Sequence, residues 1–117
     1  MPLVFYAVTV LNVLVAAGFS VVSLVNLRLI APGEPDEAAR IMALYAAART
    51  LPLAALTIAA LVAGQHDAII WLATLAGVVQ LVDGYVGMQQ RDPARTWGPL
   101  ALGIAQFAVL ALVQFTP

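Results

Sequence analysis

Long apolar runs separated by short polar segments dominate the chain. The runs cover residues 3–28, 38–63, 67–89 and 96–116, and each exceeds the roughly 20 residues that a helix needs to cross a bilayer. Short connections between such runs place consecutive helices antiparallel. The pattern therefore predicts an all-α integral membrane protein, in which four transmembrane helices form an up-and-down bundle and residues 1–117 form a single domain.

Helix breakers and candidate caps mark the connections between the runs. Residues 31–35 contain two prolines and a glycine, which end a helix, and Asp36 follows as a candidate N-cap of the second span. Residues 64–67 predict a tight turn before the third span. Asp92 and Pro93 suit the N-cap and the first position of a fourth helix.

Small and weakly polar residues fall on one face of the first span. The stripe consists of Thr9, Asn12, Ala16, Ser20, Ser23 and Asn26. Steps of three and four residues place these side chains on one helical face, and such residues let membrane helices approach and hydrogen-bond. We therefore expect the stripe to face the other helices. By the same argument, we expect the glycines at 77, 84, 87 and 103 to be close-packing contacts, inside one monomer or across a dimer interface.

The arginines are distributed unevenly between the two ends of the predicted bundle. The connections at one end are flanked by Arg28, Arg40, Arg91 and Arg95, whereas the connection at the other end has no basic residue besides His66. Because basic residues accumulate in cytoplasmic loops, this distribution predicts that a multi-pass protein has its arginine-flanked connections in the cytoplasm and both termini on the outer face.

The composition narrows the classes of function. Hydrophobic residues make up 63% of the chain and charged residues 9%, far below the roughly 25% charged residues of a soluble domain, so we expect contact with the lipid bilayer. Five basic and six acidic residues give a net charge of −1, which argues against nucleic acid as a partner. With no cysteine and one histidine, the chain predicts no metal site and no cofactor.

Asp83 is the most informative residue, because it is a carboxylate inside the third apolar run. A charge at such a position costs several kcal/mol unless it is paired or faces water. Arg49 lies inside the second run, about 13 Å from the arginine-rich end by the helical rise, and Asp83 lies about 12 Å from the same end. The matching depths predict a buried ion pair between these two residues.

We expect this pair to form part of a polar pocket in the arginine-rich half of the bundle. Asp83 and Arg49 are the candidate catalytic residues, and the candidate substrate-binding residues are Tyr45, Gln80, Ser20, Gln106 and Tyr85. The alternative is that the pair is a structural staple that fixes the register of two helices.

The four spans, the segment Arg49-Thr-Leu-Pro-Leu-Ala54 in the second span and Asp83 late in the third span resemble the small DoxX-like bacterial membrane families. Several of those families are known only as domains of unknown function. The resemblance covers nearly the whole chain and implies a four-span inner-membrane bundle. It implies family positions for Arg49 and Asp83 but no particular activity.

Three functions are open from the sequence. The first is binding of a small lipid-soluble molecule, such as a lipid, a quinone or an isoprenoid-like compound, near Arg49 and Asp83. The second is a membrane-embedded isomerase or cyclase, in which Asp83 acts as general acid or base and Arg49 orients it or stabilises negative charge. The third is a proton-coupled transporter, for which a salt-bridged carboxylate is poorly suited unless the pair breaks during the cycle. A homodimer is compatible with all three.

Overall fold

A computed structural model describes residues 2–27 and 36–115. Within these ranges the chain forms helices α1 (Leu3–Val25), α2 (Glu37–Ala63), α3 (His66–Gln89) and α4 (Pro93–Phe115), and no β-strand. All four helices are long and apolar enough to cross a membrane. The predicted all-α, four-span architecture is thus confirmed, and the protein is a multi-pass membrane protein. The predicted helix break at residues 31–35 and Arg28 lie outside the described residues.

Carboxylate caps begin the second and fourth helices, as the sequence predicts. Asp36 Oδ1 accepts a hydrogen bond of 2.8 Å from the backbone N–H of Ala39, and Asp92 Oδ1 accepts one of 3.1 Å from the N–H of Ala94. These bonds satisfy amide groups that have no partner inside the first helical turn. Pro93 is the first residue of α4, because its missing N–H and fixed φ suit that position.

Residues in the left-handed backbone region end α2 and α3. Gly64 has φ of +67° and leads into α3 after one further residue, so the turn is even shorter than predicted. Arg91 has φ of +56°. Its N–H bonds to Met88 O at 3.1 Å, and the N–H of Asp92 bonds to Gly87 O at 3.1 Å, which is the Schellman pattern of a helix end. Glycine usually occupies the position that Arg91 takes here.

Glycines bring α3 and α4 into close contact. A Cβ added at Gly84 would lie 2.6 Å from Leu100 Cγ, and one added at Gly87 would overlap the backbone of Arg95. Gly77 and Gly103 are also close to side chains of the opposite helix. The predicted role of these glycines is confirmed, and the contacts lie inside the monomer.

The bundle core combines two apolar clusters with a buried polar face. Each cluster is assembled from several helices; the first contains Phe5, Ala60, Ile69, Ala73, Val109 and Leu110, and the second contains Val13, Ala17, Leu53, Ala54, Ala76 and Val79. The predicted α1 stripe faces inward, because Thr9, Asn12, Ser20 and Ser23 are all buried, although Asn26 is exposed. Among the described residues, the backbones of α2 and α4 do not approach each other closely, and each of these two helices packs against both α1 and α3.

Candidate functional site

A cavity of about 1020 Å³ lies near the end of the bundle at which α2 and α4 begin, which we call the arginine end. All four helices and the α3–α4 turn contribute to its wall. The lining residues are Val15, Ala16, Phe19 and Ser20 of α1; Met42, Tyr45, Ala46 and Arg49 of α2; Gln80, Asp83, Val86 and Gly87 of α3; Gln90 and Asp92 of the turn; and Ala94, Arg95, Gly98, Pro99 and Leu102 of α4. Most of these side chains are apolar, so the charged ones stand out.

The predicted ion pair is present on the wall of this cavity. Arg49 Nη2 donates a hydrogen bond of 2.9 Å to Asp83 Oδ1, which shows that the two residues lie at the same depth. The expectation that the pair is buried is corrected, because protein atoms leave 47% of the Arg49 side chain and 29% of the Asp83 side chain uncovered. The helices leave the cavity open beside the pair, so a ligand could reach both charges.

A second ion pair lines the cavity beside the α3–α4 turn. Arg95 Nε lies 3.3 Å from Asp92 Oδ2, and Arg95 Nη1 donates to Gln90 Oε1 at 3.4 Å. The sequence predicts a role in membrane orientation for Arg95 and does not by itself place this residue in the pocket. The signal was present in the sequence, because Asp92 and Arg95 are three residues apart, a spacing that brings side chains together on a helix.

Three of the predicted binding residues line the cavity with the Arg49–Asp83 pair. They are Ser20, Tyr45 and Gln80. Ser20 Oγ accepts a 2.8 Å hydrogen bond from the hydroxyl of Thr50, which joins α1 to α2. Gln80 Nε2 donates to the backbone carbonyl of Asn12 at 3.4 Å. These polar groups are therefore held in place by neighbouring helices.

The other two predicted binding residues lie elsewhere. Gln106 is fully buried in the core, where it accepts a 2.6 Å bond from Asn12 Nδ2 and donates a 3.0 Å bond to Thr9 Oγ1. Tyr85 is 59% exposed on the outside of α3 and does not line the cavity. It follows Asp83 by two residues, which turns it about 200° away around the helix.

The arrangement is suited to holding a polar head group beside an apolar surface. The Arg49 guanidinium can donate hydrogen bonds from nitrogens other than the one that binds Asp83, and the hydroxyl of Tyr45 can donate or accept. The apolar part of a ligand would then lie against side chains such as Phe19 and Leu102. Among the described residues, no group of three His, Asp or Glu side chains could hold a metal ion.

Comparison with protein families adds one match. The model of a domain of unknown function, DUF4267, matches residues 15–113, a range that includes Arg49, Asp83 and every residue lining the cavity. No curated protein and no solved structure matches the chain.

Proposed function

We propose that this chain, which belongs to the DUF4267 family of unknown function, binds a small lipid-soluble molecule in the cavity beside Arg49 and Asp83. The molecule would be a lipid, a quinone or an isoprenoid-like compound, with its polar head at the ion pair and its apolar part against the helices. Lipid would surround the rest of the bundle.

One observation carries this proposal: a charged pair inside the spans lies on the wall of a large and otherwise mainly apolar cavity. Intramembrane charges are rare and usually face a bundle interior or a functional cavity. A structural staple needs only the contact between the two charges, whereas here protein atoms leave almost half of the Arg49 side chain uncovered, and this part of the side chain can contact a ligand. The volume of about 1020 Å³ is at the upper end of the range of roughly 300–1,000 Å³ typical of ligand pockets.

The other two functions have less support from the geometry. The guanidinium of Arg49 holds Oδ1 of Asp83 in a direct hydrogen bond of 2.9 Å, so proton transfer at that oxygen competes with the ion pair. An isomerase, a cyclase or a proton-coupled transporter that uses Asp83 therefore needs the pair to open. Binding needs no such step.

The proposal is tested by native mass spectrometry with lipid extraction on protein purified gently from its own membrane. Wild type is compared with the double variant Arg49→Met/Asp83→Leu, which removes both charges of the pair. The matched control is Glu37→Gln/Arg40→Gln, which removes an ion pair of 3.6 Å that lies outside the cavity.

A discrete co-purifying molecule that is lost from the first variant and retained by the control supports the proposal. No bound molecule in wild type, or equal retention by both variants, overturns it. The same spectra give the stoichiometry, and so test the homodimer that the sequence leaves open.

We also propose the cellular setting. The one-sided arginines support an orientation with the arginine end in the cytoplasm and both termini outside, and the resemblance to the DoxX-like families supports a bacterial cytoplasmic (inner) membrane as the location. The segment Arg49-Thr-Leu-Pro-Leu-Ala54 and Asp83 support a distant relationship to the DoxX-like families.

A further inference from the structure

The charges that line the cavity balance each other. Among the described residues, the ionisable side chains with fixed charge on its wall are Arg49, Asp83, Asp92 and Arg95. They form two pairs of opposite sign, at 2.9 Å for Arg49 and Asp83 and at 3.3 Å for Arg95 and Asp92. The cavity therefore offers hydrogen-bonding groups and local dipoles but no net charge.

This balance restricts what can bind in an apolar setting. A ligand with net charge would need either to break one of the pairs or to remain uncompensated beside lipid, and both are costly where water is scarce. A head group without net charge can accept from Arg49, and a hydroxyl can also donate to Asp83, while the pair stays intact. Resting on the proposed function, we infer that the occupant carries no net charge: a hydroxyl, carbonyl or ester head joined to an apolar chain.

Gly98 is where the structure leaves room for the apolar chain. It lines the cavity from α4, and a Cβ added there would meet no atom within 4 Å. Ala94, one helical turn earlier, also lines the cavity with a small side chain. The α4 wall therefore presents a smooth strip of backbone at this level, and a larger side chain at Gly98 would occupy the space of the ligand chain.

Gly18 provides a matched control for this position. It also lies inside a helix with no atom within 4 Å of an added Cβ, but it does not line the cavity. The two positions differ in that Gly98 precedes Pro99 inside α4, and a Cβ before proline disfavours the helical backbone, so Gly98→Ala serves as a second control that adds only this Cβ. A larger loss of binding by Gly98→Leu than by Gly98→Ala, with binding by Gly18→Leu unchanged, therefore reports on the cavity.

The test measures binding of three single-chain probes with a common sixteen-carbon length by native mass spectrometry. The probes are 1-monopalmitoylglycerol, hexadecyl sulfate and hexadecyltrimethylammonium, which are neutral, anionic and cationic. We expect wild type to bind the neutral probe at least about tenfold more tightly than either ion, a difference of one decade in Kd. Asp83→Asn leaves one positive charge in excess, so this variant should bind hexadecyl sulfate more tightly than wild type does. Arg49→Gln leaves one negative charge in excess, so it should bind hexadecyl sulfate more weakly than wild type does.

Gly98→Leu should lose about tenfold or more in affinity for the neutral probe, Gly98→Ala should lose less, and Gly18→Leu should bind like wild type. If an ionic probe binds wild type as well as the neutral one, the charge inference is overturned while the proposed function stands. If Gly98→Leu binds like Gly18→Leu, the position of the chain is overturned. If no probe binds, the inference is judged by the net charge of the molecule extracted from wild type. A neutral molecule supports the inference, and a charged molecule overturns it. Absence of any bound molecule overturns the proposed function itself.

Discussion

Asn12 and Gln106 join the first and last helices of the bundle through a side-chain hydrogen bond of 2.6 Å. Both residues are fully buried. Asn12 Nδ2 also lies 3.3 Å from the carbonyl of Leu102, and Gln106 donates to Thr9. An apolar bundle in lipid gains little from hydrophobic burial between helices, so these amide contacts fix which faces of α1 and α4 meet.

Replacing Gln106 by leucine removes two of these contacts. We expect the variant to lose about 1–2 kcal/mol in free energy of unfolding, the range for interhelical hydrogen bonds in membranes. The measurement is a denaturant titration in mixed micelles. Gln114→Leu, an identical change at an exposed position on the same helix, should leave the free energy of unfolding unchanged, and equal effects of both variants would contradict this role for Gln106.

The Arg49–Asp83 pair predicts a non-additive response to substitution. Arg49→Met and Asp83→Leu alone should each lower the free energy of unfolding by about 2–3 kcal/mol, less than the full effect for a covered pair, because each leaves one charge without its partner. The double variant should recover most of that loss. A double-mutant cycle measured by the same titration gives the coupling, and single variants as stable as wild type would show that the pair contributes nothing to stability.

Among the described glycines, Gly87 is the position at which an added Cβ should cause the largest steric effect. Alanine there would place a Cβ against the backbone of Arg95, which cannot move without displacing the start of α4. We expect Gly87→Ala to destabilise by about 2 kcal/mol or more, as overpacking does. Gly18→Ala adds the same atom into open space, so it should stabilise by up to about 1 kcal/mol through helix propensity. Thermal melting in detergent of the two variants would reveal whether the signs differ.

We expect replacement of Arg91 by glycine to stabilise the protein. Its left-handed conformation, with φ of +56°, costs a residue with a side chain about 1–2 kcal/mol. Arg91→Gly removes that strain and should raise the melting temperature, although the freer unfolded chain offsets part of the gain. Arg91→Ala removes the same charge but keeps the strain, so it should not stabilise. If both variants melt alike, the charge and not the backbone determines the effect.

The proposed orientation can be tested directly, because the chain contains no cysteine. Single cysteines at Gln65, in the α2–α3 turn, and at Gln89, at the end of α3, mark opposite ends of the bundle. In intact cells, a membrane-impermeant maleimide should label Gln65→Cys and spare Gln89→Cys until the membrane is permeabilised. The reverse pattern would place the arginine end outside.

The four spans and the caps could be predicted because each depends on a short stretch of sequence. The length of an apolar run can be counted directly in the sequence. Asp36 and Asp92 precede helices whose first N–H groups need acceptors. The depths of Arg49 and Asp83 also follow from the constant rise of a helix. These features survive any reasonable packing of the helices.

The shape of the cavity could not be predicted from the same information. The depth of a residue along its helix does not indicate where two helices diverge. This divergence leaves part of the Arg49 side chain uncovered and places Gly98 beside open space. Gln106 differs from Gln80 in just this respect. Both are polar and inward-facing, but the α1–α4 contact encloses Gln106, whereas Gln80 reaches the cavity.

Several hydroxyl groups of the bundle donate their hydrogen bond within their own helix. Each donates to the carbonyl four residues earlier, as found for Thr9, Ser20, Ser23, Thr57, Thr74 and Thr96. Such a helix can enter the lipid phase alone without an unsatisfied hydroxyl. The side-chain N–H groups of Asn12 have no such local acceptor and obtain their acceptors from α4. An isolated α1 in the bilayer would therefore carry amide N–H groups without acceptors, and packing against α4 supplies those acceptors.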